Sequence, residues 1–234
     1  MKKILMLAVL TVGMMFGANA QETTWGIRGG LNISNVADKY TGNVENGESK
    51  SDYETDFKSR IGFHLGIIVD LGLSESFYIQ PGLFFTTRGM KYKDSSEDEK
   101  YEEKYNLNYL QLPILASYRI ALSDNVKWHI NAGPYLAYGL GGKVKWENSY
   151  NGETEKGDYK AFGTSDEDAD EEDYKAGLKR FDAGLSFGTG ISINKVYFGL
   201  TYDLGLTNIA DKKEWGDDYK LKNRNFAISV GYNF

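Results

Sequence analysis

Apolar and small polar residues alternate along eight stretches of this chain. The clearest is the last: Phe226, Ile228, Val230, Tyr232 and Phe234 fall on one face of an extended strand, with Asn225, Ala227, Ser229, Gly231 and Asn233 on the other. Period-two alternation of this kind marks a strand whose two faces meet unlike surroundings. The same pattern predicts strands over 25–36, 58–71, 77–91, 107–119, 127–142, 180–193 and 196–208. In the second, Ile61, Phe63, Leu65 and Ile67 oppose Arg60, Gly62, His64 and Gly66; in the sixth, Phe181, Ala183, Leu185 and Phe187 oppose Asp182, Gly184, Ser186 and Gly188. Ile68 and Phe84 interrupt the polar faces of their strands, and Pro81 predicts a local bulge.

The connections alternate in length. Those over 37–57, 92–106, 143–179 and 209–222 are long, and those over 72–76, 120–126 and 194–195 are short. Outer-membrane barrels have this asymmetry, with short periplasmic turns and long outer loops, and an even strand count brings both termini to the periplasmic side. The expected fold is therefore all-β, an eight-stranded antiparallel up-and-down transmembrane β-barrel. A soluble barrel would instead turn the apolar face inward. Here the polar faces carry Gly, Ser and Asn, small enough for a narrow eight-stranded lumen, while Lys and Glu concentrate in the predicted loops. Trp25, Phe77, Tyr118, Trp128, Tyr138 and Tyr202 stand near the ends of the apolar faces, where interfacial girdles belong.

The first residues add a compartment. Met1-Lys-Lys, an apolar run from Ile4 to about Phe16 and Ala18-Asn-Ala20 read as a secretory signal peptide over 1–20, leaving a barrel domain over 21–234. Without Lys2 and Lys3 the net charge moves from −6 to −8, which excludes the basic footprint of a nucleic-acid binder. With no Cys, an exported chain has no disulfide framework, so its stability must come from the fold.

Several motifs resemble a known family. Gly26-Ile-Arg-Gly-Gly-Leu-Asn-Ile-Ser, Tyr78-Ile-Gln-Pro-Gly-Leu, Leu107-Asn-Tyr-Leu-Gln-Leu-Pro, Ala132-Gly-Pro-Tyr-Leu and Gly205-Leu-Thr-Asn-Ile are, in order and spacing, similar to PorT-type outer-membrane β-barrel proteins. The resemblance implies a small barrel in the outer membrane and supplies no catalytic motif.

The charged residues on the predicted inner faces are Arg28, Arg60, His64, Asp70, Arg88, Arg119, Arg180, Asp182 and Asp203. Unpaired charge in a closed lumen is costly, so these are expected to form a polar network that plugs the barrel. Counting along the strands puts Arg60, Arg88, Arg180 and Asp182 near the outer mouth, Asp70 and Arg119 near the periplasmic end, and Arg28 and Asp203 between. Three Arg to one Asp at the mouth calls for anions from loops or solvent. The two histidines, His64 and His129, fall on inner faces, with neither expected beside a Ser and a carboxylate at the outer rim, so no catalytic residue is expected. Asp166-Glu-Asp-Ala-Asp-Glu-Glu-Asp173 spaces acids as a Ca²⁺ loop does but has Glu171 where such a loop needs Gly. It reads as a solvated loop tip, so neither metal nor cofactor is expected. Loop tyrosines at 40, 53, 92, 101, 105, 150, 159 and 174 could stack on a glycan or partner, or pack the loops together.

The reading is a monomeric, non-enzymatic outer-membrane protein with structural or surface-interaction duties. Its expected partners are outer-membrane lipid, the barrel-assembly machinery and an extracellular ligand or protein met through the loops. A small pore or carrier for polar solutes is the alternative, and a barrel enzyme a weaker one. Phe226, Ile228, Val230, Tyr232 and Phe234 are the expected closing strand and assembly signal, since a barrel in lipid can leave no strand edge unpaired.

Overall fold

The computed structural model describes residues 23–41, 52–53, 57–96, 99–165 and 174–234. The expected signal peptide and the acidic run 166–173 lie outside the described residues. The strands are β1 (Thr23–Thr41), β2 (Asp52–Tyr53), β3 (Lys58–Gly72), β4 (Phe77–Arg88), β5 (Met90–Ser95), β6 (Glu99–Ser123), β7 (Val126–Tyr150), β8 (Glu153–Phe162), β9 (Lys175–Leu178), β10 (Phe181–Ile193), β11 (Val196–Gly205) and β12 (Tyr219–Asn233), with one short helix, α1 (Lys212–Trp215).

Eight of these strands close a ring. β1 pairs with β3, β3 with β4, β4 with β6, β6 with β7, β7 with β10, β10 with β11 and β11 with β12, all antiparallel. β12 returns to β1 from Tyr40↔Tyr219 to Gly26↔Asn233. Phe234 N–H then donates to the Trp25 carbonyl at 2.8 Å, and the two rings stack 4.1 Å apart. The alternation read from sequence sorts as a membrane barrel requires. Ile61 and Leu65 are 71% and 62% exposed on the outside, whereas Asp70 is 1% exposed within. Short turns join β3 to β4, β6 to β7 and β10 to β11 at the end that holds both termini of the ring.

The opposite end differs from expectation. Residues 92–106 and 143–179 read as loops, but β6 and β7 stay paired from Leu107↔Gly142 up to Glu99↔Tyr150, flanked by β5 and β8. Apart from Met90, Leu107, Val144 and Ala161 at its base, both faces of this tall wall are polar or aromatic, so the apolar alternation that marked the lower strands is missing. Asn151 and Gly152, at φ 49° and 85°, join β7 to β8, the paired positive φ of a type I′ hairpin turn. Gly89 (φ 151°) separates β4 from β5, and a Cβ there would meet the Tyr105 carbonyl oxygen at 1.8 Å. Register is unchanged across Pro81, from Ile79↔Ala116 to Phe85↔Leu110, so the expected bulge is not there. Irregularities lie elsewhere: in β6 between Asn108 and Tyr109 and between Ala121 and Ser123, between Lys160 and Phe162 where β8 meets β9, and in β3 near Arg60, where His64 faces Thr86 but Ser59 faces Met90.

Candidate functional site

Three layers fill the lumen. At the end with the short turns, Asp70 pairs with Arg119 at 2.6 Å and accepts from Gln80 Nε2 at 2.7 Å. The Arg119 and Arg28 guanidiniums each lie 3.9 Å over a tyrosine ring, Tyr78 and Tyr197 respectively. Arg28 also donates to Asn233 Oδ1 at 2.9 Å. His129 meets Ser192 Oγ at 2.8 Å and the edge of Tyr197.

The middle layer is built around Asn32. Its amide nitrogen donates to Thr86 Oγ1 and to the carbonyls of Phe63 and Thr87, which leaves Oδ1 as acceptor for His64 Nδ1 at 2.9 Å. The proton therefore sits on Nδ1, and Nε2 accepts from Ser229 Oγ at 2.9 Å. The sequence placed no serine beside His64, because Ser229 lies two strands away around the ring and only the β1–β12 register (Gly30↔Ser229) and the β1–β3 register (Gly30↔His64) bring them together.

Above it, Arg88 is wholly enclosed. It pairs with Asp203 at 2.6 Å and Asp182 at 3.6 Å and donates to Gln111 Oε1. Asp203 also accepts from Ser186 at 2.5 Å and Asn225 at 3.2 Å, and Asp182 from Tyr135, Thr207 and Asn223 at 2.8 to 3.0 Å. Of these partners, Tyr78, Tyr135, Tyr197, Gln80 and Gln111 went unremarked as site residues in the sequence. Their only signal was a place on the polar side of the alternation.

Four expectations need correction. Arg180 stands outside the lumen. It precedes β10, where strand alternation no longer applies, and lies exposed over the Phe162 ring with its Nη1 bonded to the Gly139 and Leu140 carbonyls. Arg60 also leaves the lumen: its Nε donates to Asn106 Oδ1 at 2.9 Å. Asn106 sits between buried Tyr105 and Leu107 and so faces outward, and the extra residue in β3 carries Arg60 across side-chain-free Gly89 to reach it. Arg28 belongs with the Asp70–Arg119 layer and Asp203 with Arg88, because the tilt of barrel strands offsets heights counted by residue number. The upper layer thus holds one Arg against two Asp rather than three against one.

A cavity of about 80 Å³ lies between the Arg28 and Arg88 layers, bordered by His64, Asn131, Tyr197 and Ser229. It is lined by polar groups and is large enough to hold water. Over the outer end sits an apolar cap. Met90, Leu107, Tyr109, Leu178, Ile209 and Leu221 are at most 1% exposed and pack with Phe162, whose ring meets Tyr109 edge-on at 5.6 Å. The Ser229–His64–Asn32 chain has hydrogen-bond distances that suit a nucleophile and base. It lies beneath that cap, beside a cavity too small for an acyl substrate.

A family model described as "Outer membrane protein beta-barrel domain" matches residues 19–211. None of the curated proteins matches the sequence. Among solved structures, the chain is similar to the attachment invasion locus protein Ail of Yersinia pestis, at 17% identity and TM-score 0.37 over 92% of this chain and 100% of that one. It is also similar to OprG from Pseudomonas aeruginosa, at 11% identity and TM-score 0.42 over 92% and 98%, and to Neisserial surface protein A, at 12% and 0.40 over 91% and 98%.

Proposed function

From the premise that the chain belongs to the outer membrane protein beta-barrel domain family, and so resides in the outer membrane, we propose a closed, non-enzymatic barrel that serves as a scaffold for its outer wall. In this reading it is a PorT-type member by the motifs of its strands and a monomer. The lumen is a plug. Its described charges, Arg28, Arg88 and Arg119 with Asp70, Asp182 and Asp203, sum to zero, as a closed lumen within a membrane needs. The observation that carries the proposal is the apolar cap: a conducting pore would not bury Met90, Leu178 and Leu221 across its mouth. The wall then faces the exterior, where it meets a ligand or protein.

Single-channel recording in planar bilayers tests the plug. The full chain should give no discrete conductance steps, and steps from the unmodified protein would replace the scaffold by a pore. The His64–Ser229 contact favours a second, hydrolytic reading. Labelling with a fluorophosphonate separates the two: a scaffold leaves Ser229 unlabelled, and a hydrolase gives an adduct that Ser229→Ala abolishes.

A further inference from the structure

The wall above the membrane has two unlike faces. Residues directly opposite across paired strands project to the same side. Lys58 on β3 faces Lys91 on β5, Lys91 faces Lys104 on β6, and Lys104 faces Lys145 on β7. Four lysines thus stand in one row across four neighbouring strands, over about 14 Å at about 4.8 Å per strand. Their face is outward, because Met90, Tyr105 and Val144, the neighbours of Lys91, Lys104 and Lys145, are buried.

The adjoining rows repeat the sign. One step nearer the membrane, Asn106, Lys143 and Lys160 are in register, with Arg60 bonded to Asn106. One step further out come Lys93, Glu102, Glu147 and Lys156, and beyond them Lys100. Glu102, Glu147 and Asp158 are the acidic side chains in these rows, set against nine lysines and Arg60. Four contacts tie lysines to them: Lys93–Glu102, Lys104–Glu102, Lys143–Asp158 and Lys156–Glu147. A chain of net charge −6 has therefore gathered a surplus of positive charge on one face of one wall. The other face holds Glu103, which accepts from the phenols of Tyr101, Tyr105 and Tyr159.

Height and continuity identify what this face meets. It continues the lipid-facing surface of β6 and β7 upward on the same strands. From Leu110 to Asn106 is about 13 Å of strand at ~3.3 Å per residue, about 10 Å in height at a tilt near 40°. The Lys143–Lys160 row therefore lies at the polar layer that flanks the hydrocarbon, and the four-lysine row stands just above it. Cation clusters at such a layer hold anionic headgroups. We propose that this outward wall is a docking surface for the phosphate groups of outer-leaflet lipids, which ring the barrel on the side of β3 and β5 to β8.

The test uses the full chain in nanodiscs of zwitterionic lipid doped with either diphosphoryl lipid A or its dephosphorylated form, with the retained lipid measured by native mass spectrometry. The expected result is retention of the phosphorylated lipid at least about tenfold above the dephosphorylated one, lost at high salt and unaffected by inorganic phosphate. Lys91→Gln with Lys145→Gln should weaken it, and adding Lys104→Gln, Lys143→Gln and Lys160→Gln should bring the two lipids level. Arginine at the same five positions should restore the preference. Equal retention of both lipids by the unmodified chain would overturn the proposal. So would an unchanged preference in the five-glutamine variant, its folding verified by heat-modifiable gel mobility, or competition by free phosphate.

Discussion

Replacing Arg88 by methionine probes the polar plug at its hub. The guanidinium is fully enclosed and holds Asp203 at 2.6 Å and Asp182 at 3.6 Å. Removing one member of a buried ion pair costs about 3–5 kcal/mol, because the partner is left charged and unpaired. Here two carboxylates are stranded, yet each keeps hydrogen bonds from neighbours: Ser186 and Asn225 on Asp203, Tyr135, Thr207 and Asn223 on Asp182. Those donors place the expected loss near the lower limit, about 3 kcal/mol. With a urea slope of about 2–3 kcal/mol per molar, the midpoint should fall by roughly 1 M or more. The assay is urea unfolding in lipid vesicles, followed by tryptophan fluorescence and by heat-modifiable gel mobility. Neutralising the whole hub, Arg88→Met with Asp182→Asn and Asp203→Asn, should recover most of the loss, since an uncharged set of similar shape is often as stable as the ion pair it replaces. A single variant within about 1 kcal/mol of the parent, or a triple variant no better than the single, would refute a plug organised by buried charge.

Three further outcomes follow from particular contacts. Deleting Phe234 removes the hydrogen bond to Trp25 and its ring stack; insertion into vesicles should slow and outer-membrane levels fall, while the inserted fraction keeps its heat-modifiable mobility. On the wall, burial first and the Glu103 carboxylate next push the Tyr105 and Tyr159 phenols above their ordinary value of 10.0. The folded state then binds these protons more tightly than the unfolded one. Their stabilisation is complete below about pH 10 and is lost as pH rises past it, so ultraviolet titration should show late-ionising phenols that Glu103→Gln brings down. Gly152→Val puts a β-branched side chain at φ 85°; at about 1–2 kcal/mol for a left-handed residue, amide exchange over 143–160 should accelerate while the ring strands stay protected.

The transmembrane part was legible because its two faces meet opposite solvents. Ile61, Phe63, Leu65 and Ile67 look outward to lipid and Asn32, His64 and Asp70 look inward, so a hydrophobicity pattern alone sorts them. Above the membrane that contrast vanishes. In Glu99–Asn106 both faces carry polar groups, and a strand there looks like a charged loop. The one hairpin signal there is the Asn151-Gly152 pair, which follows Val144, Trp146 and Tyr150 but precedes a stretch, 153–160, that is mostly charged. Arg60 was misassigned for a different reason: a bulge flips every side chain beyond it, and this one shows only once the β3 and β5 registers are compared. The cap was invisible for want of periodicity. Met90, Phe162, Leu178, Ile209 and Leu221 are isolated apolar residues from five separate segments, and their common destination is a tertiary fact.

Charge segregation ties these parts together. The lumen is neutral because a buried surplus could be relieved neither by solvent nor by salt. The outward wall is basic, so a chain of net charge −6 must carry its acids elsewhere. Some line the inner face of the wall, where Glu103 is enclosed by three phenols; seven more stand in the run 166–173. An acidic patch facing the headgroup phosphates would repel the membrane that must surround the barrel, whereas Glu103 is turned to the opposite face of the wall. Reversing the outer face, with Lys91, Lys104 and Lys145 each changed to Glu, should therefore leave the ring strands intact in detergent and reduce insertion into vesicles rich in anionic lipid. Insertion into neutral vesicles should be unchanged. A variant that enters both kinds of vesicle as readily as the parent would show that the sidedness of the wall does not act at the membrane surface.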